Sequence, residues 1–131
     1  MAETPDRARI LVIDDEPLIG VIVQRALRTL DVSACTDAHE ALAAIRDGRR
    51  YDVILCDLMM PAMTGMAFYA TLQAECPEQV AAVMFLTGGA ANPETAAFLA
   101  SVPNPQMAKP FDVERLRQQI HAFLQSRVPR P

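Results

Sequence analysis

Residues 9–16 read Arg9-Ile10-Leu11-Val12-Ile13-Asp14-Asp15-Glu16, and this stretch decides the fold. Four consecutive aliphatic residues leave no polar face along the segment. Such a run suits a strand covered on both sides, as in a parallel sheet packed between helices. The run then stops on three carboxylates, so a strand end and a charged site coincide. Two later stretches repeat the character: residues 51–57 (YDVILCD) and residues 80–87 (VAAVMFLT). Residues 32–36 and 106–109 are weaker strand candidates, placed mainly by their position between helices.

The segments between these runs carry helix punctuation. Asp37-Ala38-His39-Glu40 is a capping-box pattern, and Ala38, Ala41, Leu42 and Ile45 follow at helical spacing. Gly48 stops that helix. Phe68, Tyr69 and Leu72 mark one face of a third helix, with Gly65 suited to a tight loop leading into it. Asn92-Pro93 is an N-cap followed by proline at the first helical position. Asp112 caps a last helix with Val113, Leu116, Ile120, Phe123 and Leu124 on one stripe. In the first helix, Ile19, Ile22, Val23, Ala26, Leu27 and Leu30 form the core stripe. The order is β then α, five times over. It predicts an α/β fold with one doubly wound five-stranded parallel sheet, helices on both faces and right-handed crossovers. Residues 1–8 read as a polar lead-in, 9–126 as the single domain and 127–131 as a tail.

Composition narrows the function. The 131 residues are 51% hydrophobic and 21% charged, a folding composition. Twelve basic against sixteen acidic side chains give a net charge of −4. With no basic block, a dedicated nucleic-acid binder is not expected. The longest apolar runs, such as residues 80–86, fall far short of the roughly 20 residues that span a bilayer. The opening residues lack the apolar core of a signal peptide. Three cysteines with no CxxC pair argue against a disulfide framework or a zinc knuckle. A reduced, cytoplasmic domain is the expectation.

Doubly wound sheets place their chemistry at the carboxyl ends of the strands. There the chain carries Asp14, Asp15 and Glu16 after strand one, Asp57 after strand three, Thr87 and Gly88 after strand four, and Lys109-Pro110 after strand five. Carboxylates gathered on one rim repel one another, and a hard cation or the lysine must offset that. An oxygen-rich site suits Mg²⁺. Each residue alone has a plainer reading. Asp14 and Asp15 could cap a helix, Asp57 could end a strand, Thr87 could be an ordinary strand residue and Lys109 a solvated charge. Their convergence favours a site.

The pieces ILVIDDEP, DVILCDLMMPAMTG, FLTGG and KPFD, in this order and each at a strand end, resemble the receiver domain of two-component response regulators over about residues 8–126. By that analogy the fold is flavodoxin-like with strand order 2-1-3-4-5. The resemblance implies that Asp57 takes a phosphoryl group from a phosphohistidine of a histidine kinase or histidine phosphotransfer domain. Asp14 and Asp15 hold Mg²⁺, with Asp57 and the backbone carbonyl of Met59 completing the protein ligands. Thr87 hydrogen-bonds a phosphoryl oxygen. Lys109 pairs with the carboxylate and then with the phosphoryl group. Pro110 follows a cis bond that aims Lys109 at the site. Such a domain catalyses its own phosphorylation and slow dephosphorylation, with no separate substrate turnover.

Many receivers have an aromatic residue three positions before the lysine. Here it is Gln106, and two prolines precede it, a loop more like receivers attached to hybrid histidine kinases than transcriptional ones. Leu18 and Val21 fall off the core stripe of helix one and form a candidate docking patch for a helical phosphotransfer partner. Met59 and Gly89 flank the expected phosphoryl position, and neither orients a water by a strong hydrogen bond, so a long-lived phosphoaspartate is expected. Cys35, Cys56 and Cys76 read as structural or simply reduced, and His39 and His121 as surface residues. Three other functions compete: a haloacid-dehalogenase-type hydrolase, a flavin carrier, and a degenerate receiver acting only as a protein-binding module. The hydrolase needs a DxD at strand one, and the flavin carrier a phosphate loop that Asp-Asp-Glu-Pro would repel.

Overall fold

In the first strand, β1 (Arg9–Ile13), every residue after Arg9 is buried. The computed structural model describes residues 7–88 and 92–127. The segments 1–6 and 128–131, and Gly89 with its two successors, lie outside the described residues. After β1 the chain continues through α1 (Pro17–Ala26), β2 (Asp31–Cys35), α2 (Ala38–Arg46), β3 (Val53–Asp57) and α3 (Gly65–Glu75). A 3-10 turn over Pro77–Ala82 leads into β4 (Val83–Gly88), α4 (Pro93–Ser101), β5 (Gln106–Lys109) and α5 (Val113–Gln125). The five strands are parallel and stand in the order β2-β1-β3-β4-β5, the order that the resemblance to receiver domains implies.

Period-two alternation divides the strands between two cores. Leu11, Ile13, Ile54, Cys56, Val83 and Phe85 pack with α2 and α3 on one face. Ile10, Val12, Val53, Leu55, Met84, Leu86 and Met107 pack with α1 and α5 on the other. Both faces are therefore dry, which is why the central strands read as unbroken apolar runs. Cys56 falls in the first core and is fully buried, as expected from its place one residue before the rim.

Local chemistry sets the helix ends. Asp37, Thr64, Asn92 and Asp112 each accept backbone N–H bonds from the first turn of the helix that follows. At Asp37 the partner is the N–H of His39. Gly48 follows α2 with φ +102°, a conformation that side chains resist. Gly20 has a different reason for being glycine, since a Cβ there would lie 2.8 Å from the Ala34 Cβ. That contact lets α1 lie close against β2.

Three boundaries differ from the sequence reading. Residues 80–82 belong to the 3-10 turn, and β4 begins at Val83. The turn starts at Pro77, whose ring fixes φ, and the Val80 carbonyl accepts from the Asn104 amide instead of joining the sheet. β3 begins at Val53 because the Gln79 amide takes both backbone groups of Tyr51, at 2.7 and 3.1 Å. β2 runs from Asp31 to Cys35, so Thr36 lies outside it. On α5, Leu116 and Ile120 are buried, while Val113 in the first turn is exposed and does not join the stripe.

Candidate functional site

The carboxyl ends of β1, β3, β4 and β5 meet at one rim. Asp14 is 2% exposed and Asp57 is 5% exposed, both deep for ionisable groups. Carboxylate oxygens of Asp14, Asp15 and Asp57 lie within 4.8 Å of one another. Asp15 faces outward, so this oxygen cluster is open on one side. Asp14 Oδ1 also accepts the Glu16 N–H at 2.9 Å, just ahead of α1. Glu16, not an aspartate, is the residue at the α1 N-cap, and its side chain makes no cap bond. The helix-capping reading of Asp14 and Asp15 therefore does not hold.

Lys109 enters from β5, and the peptide bond to Pro110 is cis, as the sequence reading expects. Its Nζ donates to Asp14 Oδ2 at 3.0 Å and lies 3.6 Å from Asp57 Oδ2 and 3.7 Å from Glu16 Oε1. The nearest partner is thus Asp14, although Asp57 was the expected one. A compact ammonium with three donors sits among carboxylates more readily than it commits to one. Burial alone disfavours its charge, yet the Asp14 hydrogen bond and the charges of Asp57, Asp14 and Glu16 outweigh that and raise its pKa.

Asp57 carries the strain of the crowd. Burial, then the charge of Asp14, pushes its carboxyl up to about 6, against the pull of Lys109 and of the Met59 N–H. That N–H approaches Asp57 Oδ1 at 3.4 Å, a long contact. Behind Asp57, Gly65 closes the β3–α3 loop. Its N–H donates to the Leu58 carbonyl at 2.9 Å. A Cβ at this position would stand 2.5 Å from the Asp57 carbonyl oxygen and 2.9 Å from the Leu58 Cα. The sequence reading took Gly65 for a tight turn, but close backbone approach is what requires it.

Beside the rim lies a cleft of about 530 Å³ between α4 and the ends of β4 and β5. Met59, Thr87, Gly88, Gln106 and Lys109 line it with Leu99 of α4. Thr87 is half-buried and reaches this cleft from the strand next to Asp57. Gln106 is exposed at its wall. Leu18 and Val21 are 64% and 40% exposed on α1, off the buried face formed by Gly20, Val23 and Ala26. His39 and His121 lie on exposed helix surface, and the three cysteines are unpaired.

Sequence reasoning missed two buried amides that hold the scaffold. Gln79 clamps Tyr51, while Asn104 accepts from Tyr69 Oη at 2.6 Å and donates to the Val80 and Val83 carbonyls at 2.9 Å each. No local pattern signals either, because the partners lie 21 to 35 residues away.

A parallel (βα)5 sheet with three aspartates and a lysine gathered at the strand ends defines a doubly wound domain with an acidic site on its rim. The family model described as "Response regulator receiver domain" matches residues 10–121, and the chain belongs to that family. It is 32% identical over 117 residues to the probable transcriptional regulatory protein TcrX of Mycobacterium tuberculosis, covering 88% of this chain and 49% of that one. It is 30% identical to the DNA-binding response regulator MtrA of Mycolicibacterium smegmatis, covering 95% and 54%. The chain thus spans about half the length of these curated relatives. The chemotaxis response regulator CheY4 of Vibrio cholerae superposes with a TM-score of 0.77 at 28% identity, covering 89% of this chain and 98% of that one. A histidine kinase receiver domain from Syntrophus aciditrophicus gives 0.80 at 20% identity, covering 95% of each, a likeness of fold alone.

Proposed function

We propose that the receiver unit, residues 9–126, accepts a phosphoryl group on Asp57 from the phosphohistidine of a histidine kinase or histidine phosphotransfer domain. The observation that carries this reading is the buried, uplifted Asp57 carboxylate within 4.8 Å of two further acidic groups and beside one lysine. Crowding of that kind serves a site that receives positive charge.

The donor set is all oxygen and fits a hard cation such as Mg²⁺. Asp14, Asp15 and Asp57 would hold it with the Met59 carbonyl, and when bound it would neutralise charge on a transferring phosphoryl group. Phosphoryl transfer asks mainly for alignment and charge compensation. Asp57 supplies the attacking oxygen, and the bond to the donor nitrogen breaks as the bond to Asp57 forms. Lys109 holds Asp14 and Asp57 in register and offers its remaining protons to the phosphoryl oxygens. Thr87 donates its hydroxyl to one of them. Gly88 leaves room, since a Cβ there would already touch the Lys109 side chain at 3.4 Å. The domain turns over no substrate of its own beyond making and losing this acyl phosphate.

Leu18 and Val21 lie on α1 next to the rim, and their exposure supports a docking role for the helical donor. Gln106, in place of an aromatic residue, and the prolines at 103 and 105 support use in a phosphorelay of the hybrid-kinase type. The transcriptional relatives support a second reading, in which a separate DNA-binding unit takes the output. No helix among the described residues is long and apolar enough to cross a membrane, and a cytoplasmic site of action accords with three unpaired thiols. The intact acid set speaks against the purely binding, degenerate alternative. The test is transfer of labelled phosphate from a phosphorylated kinase to this chain with and without a chelator. Loss of transfer on chelation, and in Asp57→Ala, is expected. Undiminished transfer in chelator would remove the metal from the account, and labelling of Asp57→Ala would remove the acceptor.

A further inference from the structure

Among the described residues six methionines occur, and they differ sharply in exposure. Met60, Met84 and Met107 are buried, and Met63 and Met66 are half-buried. Met59 is 54% exposed and lines the cleft that Thr87, Gly88 and Lys109 also line. Its own N–H points at Asp57 Oδ1. Met59, two residues along the chain from Asp57, therefore shares a cleft with Thr87 and Lys109.

Two of the three thiols, Cys56 and Cys76, are buried away from an oxidant, and Cys35 is half-buried. Cys56 is wholly buried, and burial first, then the charge of Asp57, raises its pKa. Burial likewise raises Cys35 and Cys76. A thiol kept protonated reacts slowly, because the thiolate is the nucleophile. A thioether needs no deprotonation, so exposure decides its reactivity.

We propose that Met59 is a reversible oxidation site through which peroxides shorten the life of the phosphorylated state. The proposal rests on Asp57 being the phosphoacceptor. In the oxidation, the Met59 sulfur attacks one oxygen of hydrogen peroxide, the O–O bond breaks, and the products are the sulfoxide and water. The change is large in character. A thioether is at best a weak acceptor, whereas a sulfoxide oxygen accepts strong hydrogen bonds. Set at the edge of the cleft, that oxygen holds a water for attack on phosphorus. The water oxygen bonds to phosphorus, the Asp57 oxygen leaves with the P–O electron pair, and the water proton passes to solvent. Unmodified Met59 cannot hold such a water. Slow decay of the reduced protein's phosphoaspartate accords with that lack.

The test uses the full chain, loaded with acetyl phosphate and Mg²⁺, freed of donor and followed by intact mass. Limited hydrogen peroxide should add the first oxygen at Met59, located by peptide mass. The oxidised fraction should then lose phosphate roughly fivefold faster than the reduced fraction. A methionine sulfoxide reductase should restore the slow decay. Met59→Leu should decay at one rate whether or not peroxide has been applied, and Met59→Gln should decay fast without it. A first oxygen elsewhere, or equal decay before and after oxidation, overturns the proposal. Absence of any phosphate adduct on the reduced protein overturns the acceptor reading itself and this inference with it.

Discussion

Asp57 is held charged against its own environment, and that costs the free protein stability. Its carboxyl titrates near 6, against 3.8 for an unperturbed aspartate, chiefly through burial and then through Asp14. A carboxylate raised in this way binds its proton more tightly in the folded chain. Its contribution to stability is present below about pH 4 and is lost as the pH rises through about 6. In chelator at about pH 7.5, Asp57→Asn should therefore be more stable than wild type by about 2 kcal/mol. The gain should fade toward pH 4, as urea midpoints at the two pH values will show. A gain of equal size at both would mean that charge crowding is not its cause. Asp14, Asp15 and Asp57 were legible because they follow or end runs whose apolar character marks a strand, and Lys109 because its segment stands between two helices. That Lys109 sits nearer Asp14 than Asp57 was not, because sequence orders the strand ends along the rim without giving side-chain distances.

The elements that present the site differ in how firmly they are held. α4 has no fully buried residue, and Phe98 anchors it edge-on to Tyr69 and Phe85 at 5.6 and 5.3 Å between ring centres. The chain leaving α4 is fixed by Asn104, which ties Tyr69 of α3 to the carbonyls of Val80 and Val83. Asn104→Ala removes a hydrogen bond from the Tyr69 hydroxyl and from the Val80 and Val83 carbonyls, although Val80 keeps the Val83 N–H. It should lower stability by roughly 2–3 kcal/mol in urea unfolding, with Tyr69→Phe costing about 1 kcal/mol. Equal, negligible costs would show that water replaces the amide. On α1 the exposed Leu18 lies beside the rim without packing into it. Leu18→Glu should slow transfer from the cognate kinase while leaving acetyl phosphate labelling intact, and equal loss in both would indicate misfolding. Helix caps such as Asn92 and Asp112 could be read ahead because their bonds are local. The late starts of β3 at Val53 and of β4 at Val83 could not, because Gln79 and Asn104 decide them from a distance.

At the scale of the molecule, the parallel order β2-β1-β3-β4-β5 gathers strand ends that are up to 95 residues apart in the chain, as Asp14 and Lys109 are. Five alternations of buried strand and amphipathic helix made the parallel sheet and its right-handed crossovers legible, whereas the strand order came from the resemblance to receiver domains. Two dry faces hold the sheet, so the rim can carry uncompensated charge without unfolding the core. What that charge awaits is the central claim: a cation and a phosphoryl group arriving at one carboxylate. The direct test is intact mass of the whole chain after acetyl phosphate and Mg²⁺, for wild type and Asp57→Ala. The account predicts one phosphate on the wild type and none on the variant. A wild-type chain that stays unmodified, or a variant that still gains the phosphate, would contradict it.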